Sequence, residues 1–158
     1  MRTLPTPAVG VLFMLSGCVP HVGNSPAPFM AVAREGDRLE MSCVSCQDEV
    51  LHEVTVQRID EALGGGVVQG PVLWQVPSAE GVAIDRVTLG EAPSGFEVTV
   101  PLNGGLPLDR EILVEMGTSR FGSTDVDVFR PSDLGSDEVR VYYGEMPREE
   151  FDGQTSDC

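Results

Sequence analysis

Apolar residues recur at every second position through most of this chain, a period that suits strands and leaves no helix a continuous apolar stripe. The clearest run is Phe96, Val98, Val100 and Leu102, with Glu97 and Thr99 between them and Ser94-Gly95 as a preceding turn. The same alternation is seen at Leu39, Met41 and Cys43; Val54 and Val56; Val72, Trp74 and Val76; Ile112, Val114 and Met116; Val126 and Val128; and Val139, Val141 and Tyr143. Val87-Thr88-Leu89 is a shorter case. Turn chemistry separates these runs at Gly64-Gly65-Gly66, Gly70-Pro71, Pro77-Ser78, Asn103-Gly104-Gly105 and Pro131-Ser132-Asp133. Arg58 to Leu63 is the best of several weak helix candidates.

Roughly eight short strands with one apolar face each imply an all-β fold, an antiparallel two-sheet sandwich of immunoglobulin or fibronectin type III character. A small closed barrel is the alternative. Trp74 lies between Val72 and Val76 and is expected in the core rather than on a recognition surface. Residues 35–158 amount to one domain, long enough to bury a substantial core.

The N-terminus has a different pattern. Arg2 precedes an apolar stretch, Ala8 to Leu15, that ends in small residues and a cysteine, the order of a secretory signal. A helix from Ala8 to Gly17 would be about 15 Å long, roughly half the hydrocarbon thickness a spanning segment must cross. Leu15-Ser16-Gly17-Cys18 resembles the lipobox of bacterial lipoproteins, which implies that residues 1–17 are a signal peptide and that Cys18 carries the lipid. Two acyl chains would make a durable anchor to a bacterial membrane, outside the cytoplasm. Residues 18–34 then form a tether, since Pro20, Pro26 and Pro28 stand among small and polar residues that do not nucleate regular structure. His21 is expected to be solvated there.

The formal charge is −15, and the ten basic residues are all arginine. Such a surface repels phosphate backbones and anionic headgroups, so nucleic acid is not an expected partner.

Leu73-Trp74-Gln75-Val76, then Gly90-Glu91-Ala92-Pro93-Ser94-Gly95-Phe96-Glu97-Val98-Thr99-Val100-Pro101-Leu102, then Leu106-Pro107 form a series that resembles a pattern in small lipoproteins of high-G+C bacteria. Those proteins combine a lipobox, one compact β domain and a cysteine near the C-terminus. The resemblance implies a fold and an address, and no activity.

With Cys18 lipidated, Cys43, Cys46 and Cys158 remain, and outside the cytoplasm one disulfide is expected. Cys43 continues the Leu39, Met41 alternation toward the core. Cys46 lies past that strand among polar residues, and the polar tail Asp152 to Asp157 leads to Cys158. Pairing of Cys46 with Cys158 is therefore favoured, with Cys43–Cys158 and Cys43–Cys46 left open. Cys43-Val44-Ser45-Cys46 suits redox catalysis poorly, because it follows a strand and precedes Asp48 and Glu49, whose charges would raise a thiol pKa. A sharper alternative is soft-metal handling of copper by Met41, Cys43 and Cys46, with His52 nearby in sequence. Asp125, Asp127, Asp133, Asp137 and Glu138 lack the spacing of a calcium loop and read as a solvated acidic face.

Only His21 and His52 could serve a hydrolase as imidazoles, and neither a Gly-x-Ser-x-Gly elbow nor a phosphate-binding glycine loop occurs. No cofactor is expected. The expectation is a non-enzymatic binding or structural module, anchored by lipid and presenting its loops or edge strands to a protein or glycan of the cell envelope.

Overall fold

The computed structural model describes residues 30–43, 50–61, 66–119, 122–126 and 128–155. Cys18, Cys46 and Cys158, the proposed signal, and the tether up to residue 29 lie outside the described residues.

Nine strands, one α-helix and a 3-10 turn at Pro131–Asp133 are described: β1 (Met30–Glu35), β2 (Arg38–Cys43), β3 (Leu51–Glu61), β4 (Val67–Val82), β5 (Arg86–Thr88), β6 (Ile112–Thr118), β7 (Gly122–Asp125), β8 (Glu138–Val141), β9 (Gly144–Pro147) and α1 (Arg148–Thr155). They form two antiparallel sheets, ordered β5-β2-β1-β8-β9 and β4-β3-β6-β7. Both sheets have open edges, so the fold is the sandwich and not the barrel. Lettered as in immunoglobulin domains, the first seven strands give A-B-E in one sheet and C′-C-F-G in the other. The strand after C stays beside C, as in fibronectin type III domains. The β8–β9 hairpin extends the first sheet on the far side of β1.

Between the sheets, Val32, Leu39 and Met41 meet Val54, Val56, Val76 and Val114, with Trp74 only 1% exposed among them. Each such side chain contributes about 1.5–3 kcal/mol by leaving water. The expected core role of Trp74 holds. Cys43 shares the inner face of β2 and packs half-buried against this core.

The first strand begins at Met30, inside the stretch expected to be tether, and adds five residues to the domain. Its sequence Met-Ala-Val-Ala does not alternate because it is buried on both faces. Met30 and Val32 point between the sheets, while Ala31 and Ala33 point outward, where α1 covers them with Phe151. Val139, Val141 and Met146 complete this second small core. The stretch read as a polar tail, Asp152 to Asp157, is thus helical as far as Thr155. Arg148 opens the helix, donating its backbone N–H to Asp137 O (2.8 Å) and a guanidinium hydrogen to Glu35.

Several expected breaks fall inside strands. Arg58 to Glu61 continues β3 rather than forming a helix. Gly70-Pro71 and Pro77-Ser78 lie within β4, whose pairing with β3 shifts register at both places. Bulges bend an edge strand without ending it, and an edge accommodates a proline that has no N–H to donate. Gly70 is required by close approach: a Cβ there would lie 2.7 Å from Asp60 Oδ2 and 2.8 Å from Arg58 O.

The Phe96 to Leu102 run, for all its clean alternation, is not a strand. It belongs to a long connection between β5 and β6 that lies against the edge of β4, with Gln75 N–H donating to Val100 O (3.1 Å), Thr99 N–H to Gln75 O (3.0 Å) and Glu97 N–H to Pro77 O (2.9 Å). Phe96 and Leu102 still pack against the core, but Val98 is exposed. Two further inward assignments fail. A bulge at Leu73 turns Val72 outward, and Tyr143 sits in the β8–β9 turn rather than on a strand face.

Candidate functional site

The alternation that sends Ile112, Val114 and Met116 inward sends Leu113 and Glu115 to the outer face of the second sheet. There Leu113 pairs with Gln57 and Glu115 with Thr55. On β3 the same face carries Glu53, Thr55, Gln57 and Ile59, and Ile59 pairs with Gln69 on β4. This outer face divides into a polar half and an apolar half.

In the polar half, Glu53 Oε1 accepts hydrogen bonds from Gln75 Nε2 (2.6 Å) and Thr55 Oγ1 (3.0 Å). Thr99 Oγ1 donates to Gln75 Oε1 (3.3 Å), which ties the long connection to this network. Burial pushes the Glu115 carboxyl above its usual range, and the charges of Asp125 and then Glu53 add to the shift.

The apolar half is an open groove of about 530 Å³. Ile59 and Leu113 lie between Val67 and Gln69 of β4 on one side and the Tyr142-Tyr143 turn on the other, with Asp125 beside them. Val67 and Tyr142 are each 68% exposed and Tyr143 49%, so the groove displays large apolar and aromatic surface to solvent. Asp125 is the one charged residue lining it among the described residues, and none of those residues bonds to its carboxylate. The arrangement can bury apolar surface, stack a flat or cationic group on a tyrosine ring, and accept hydrogen bonds at one carboxylate.

A second depression of about 390 Å³ shares Ile59 and is lined by Asp60, Asp109, Glu111, Arg110 and Arg130. Two of its charged residues have ion-pair partners, Asp60 with Arg58 and Arg130 with Asp133. Arg58 grips Asp60 in a two-pronged contact, Nε to Oδ1 at 2.7 Å and Nη2 to Oδ2 at 2.9 Å. That hydrogen bonding, with the charges of Arg58 and Arg110, holds the Asp60 carboxyl below its usual range. Such a clamp fixes the end of β3 and leaves little for a ligand.

Of the residues weighed for copper, Met41, Cys43 and His52 are among the described residues. Met41 is fully buried between the sheets, and Cys43 Sγ lies 3.4 Å from Ile84 O. His52 Nδ1 lies 3.3 Å from Ser78 O, and Cys46 is outside the described residues. Among the described residues, no group of three or more His, Cys, Asp or Glu side chains could hold a metal ion. Nor is any helix among them long and apolar enough to cross a membrane.

Of the groove residues, Asp125 alone is weighed as a ligand in the sequence, within the acidic series Asp125 to Glu138, and there it reads as part of a solvated face. The signal available was the pair Tyr142-Tyr143, the only two tyrosines of the chain, standing immediately before Gly144. Comparison with family models, curated proteins and solved structures gives no match.

Proposed function

We propose that this chain is a lipid-anchored binding module of the bacterial cell envelope, held to the membrane through Cys18, with the groove on the second sheet as its recognition surface. The observation that carries this reading is the contrast in exposure within one patch. Val67, Tyr142 and Tyr143 stand in water around a concavity floored by Ile59 and Leu113 and lined by both polar and apolar surface, although the fold has the means to cover such a face and does so on the opposite sheet with α1. Contiguous exposed apolar surface in a concavity marks an interaction site more often than a loop tip does. The groove pairs no nucleophile with a base among the described residues, so its chemistry favours recognition.

The anchor and the groove are tested separately. Cys18→Ser should abolish fatty-acid labelling and shift the protein out of the membrane fraction, because only a thiol at that position can take the diacylglyceryl group; undiminished labelling would remove the anchor. For the groove, a photo-crosslinking amino acid at position 143 in the protein's own cells should give a discrete adduct that is lacking when the same group replaces Asp37, in the β1–β2 turn. Equal adducts at both positions, or none at 143, would remove the groove as the recognition surface.

A further inference from the structure

We propose that the groove receives a basic segment of a protein partner, with an arginine or lysine side chain laid against Tyr142 and Tyr143 and its charge facing Asp125. This rests on the groove being the recognition surface and adds the chemistry of the occupant.

The charge comes first. Asp125 is the one charged residue lining the groove among the described residues, and no described residue bonds to its carboxylate. Glu115 is paired with it across β6 and β7, and Glu53 lies near enough on the same face to oppose the ionisation of Glu115. The whole chain carries −15. A groove with carboxylates at its border, on a body of that sign, draws cations and turns away anions. A second copy of this chain would bring the same charge to the contact, so self-association through this face is opposed.

The rings supply the second element. A tyrosine face attracts a guanidinium or ammonium through its negative quadrupole, and the aliphatic stem of arginine or lysine covers apolar surface on its way to the charge. Val67, Ile59 and Leu113 offer that surface.

The test uses the whole protein isolated in a neutral detergent. The probe is a fluorescent seven-residue peptide of alternating valine and arginine, compared with the same peptide carrying neutral citrulline for each arginine. The arginine peptide should bind at least ~10-fold more tightly, and its affinity should fall as salt rises from about 50 to 200 mM. Asp125→Asn should weaken binding by about 3- to 10-fold, and Tyr142→Leu with Tyr143→Leu by about 5-fold, since leucine keeps the apolar bulk and loses the ring face. Near-ultraviolet circular dichroism checks that each variant is folded. Equal binding of both peptides, lost in the tyrosine variants, would overturn the basic occupant while leaving the groove as a binding surface. Binding of the arginine peptide that ignores both sets of substitutions would assign it to the acidic surface at large and overturn the proposal, as would no binding of either peptide.

Discussion

The two outer faces of this sandwich start alike and finish differently. On the first sheet, Ala31, Ala33, Val139 and Val141 point away from the central core, and α1 closes over them with Phe151. On the second, Ile59 and Leu113 also point away from the core, and the described residues around them leave an open groove rimmed by Val67, Tyr142 and Tyr143. One short helix therefore separates a covered face from an open one. Small residues on the covered face let a helix come close; large exposed ones on the open face would hold it off.

The largest effect is expected where both faces depend on the same core. Trp74→Ala should cost about 3–5 kcal/mol, because the cavity would lie between sheets that cannot both close on it. That loss is enough to unfold a domain of ordinary stability, measured as the midpoint of thermal or urea unfolding. An unchanged midpoint would mean that the tryptophan contributes nothing to the packing.

Phe151→Ala sharpens the contrast. It removes the side chain that α1 lays over the first sheet and should cost about 2–4 kcal/mol, with a gain in binding of a hydrophobic dye as the alanine-lined face opens. Gly70→Ala tests the border of the open face: its Cβ would collide with Asp60 and with the Arg58 carbonyl, for about 1–3 kcal/mol of strain at the β3–β4 bulge. A crystal structure of that variant should show the Val67 end of β4 displaced.

A smaller effect concerns Glu115. Its carboxyl is held above the usual range in the folded state, so the native protein takes up this proton before the unfolded chain does. The stabilising contribution is fully present below the unfolded value and is lost as pH rises through the folded one. Glu115→Gln should therefore flatten the pH dependence of stability on the acid side of neutrality. At pH 7 it should be neutral or stabilising by less than about 1 kcal/mol, since solvent screens much of the repulsion from Asp125 and Glu53. A destabilised variant at pH 7 would contradict this.

What could be read from the residue order follows from the same difference between faces. The central core was legible because Leu39 and Met41, Val54 and Val56, and Val114 and Met116 alternate with polar neighbours, one face wet and one dry. β1 was not, because α1 makes both its faces dry and erases the alternation. Gly70-Pro71 and Pro77 carry turn chemistry that an edge strand absorbs as bulges, a distinction that depends on which neighbour lies alongside. The Phe96 to Leu102 run has the pattern of a strand but bonds to β4 only at Gln75 and Pro77, with one isolated bridge between Gln75 and Val100. The groove was hidden for a related reason: it gathers Ile59, Leu113, Val67 and Tyr142 from distant parts of the chain, and only the sheet order makes them neighbours.

Unfolding of a Tyr142→Ser, Tyr143→Ser double variant, run beside Phe151→Ala, tests the contrast between the faces most directly. With Tyr142 mostly and Tyr143 about half exposed, the double variant should melt within about 0.5 kcal/mol of the parent, a shift of about one to three degrees, while Phe151→Ala melts many degrees lower. A double variant that melts as low as Phe151→Ala would show that the tyrosines hold the fold together, and the open face would then be a second packing surface and no recognition site.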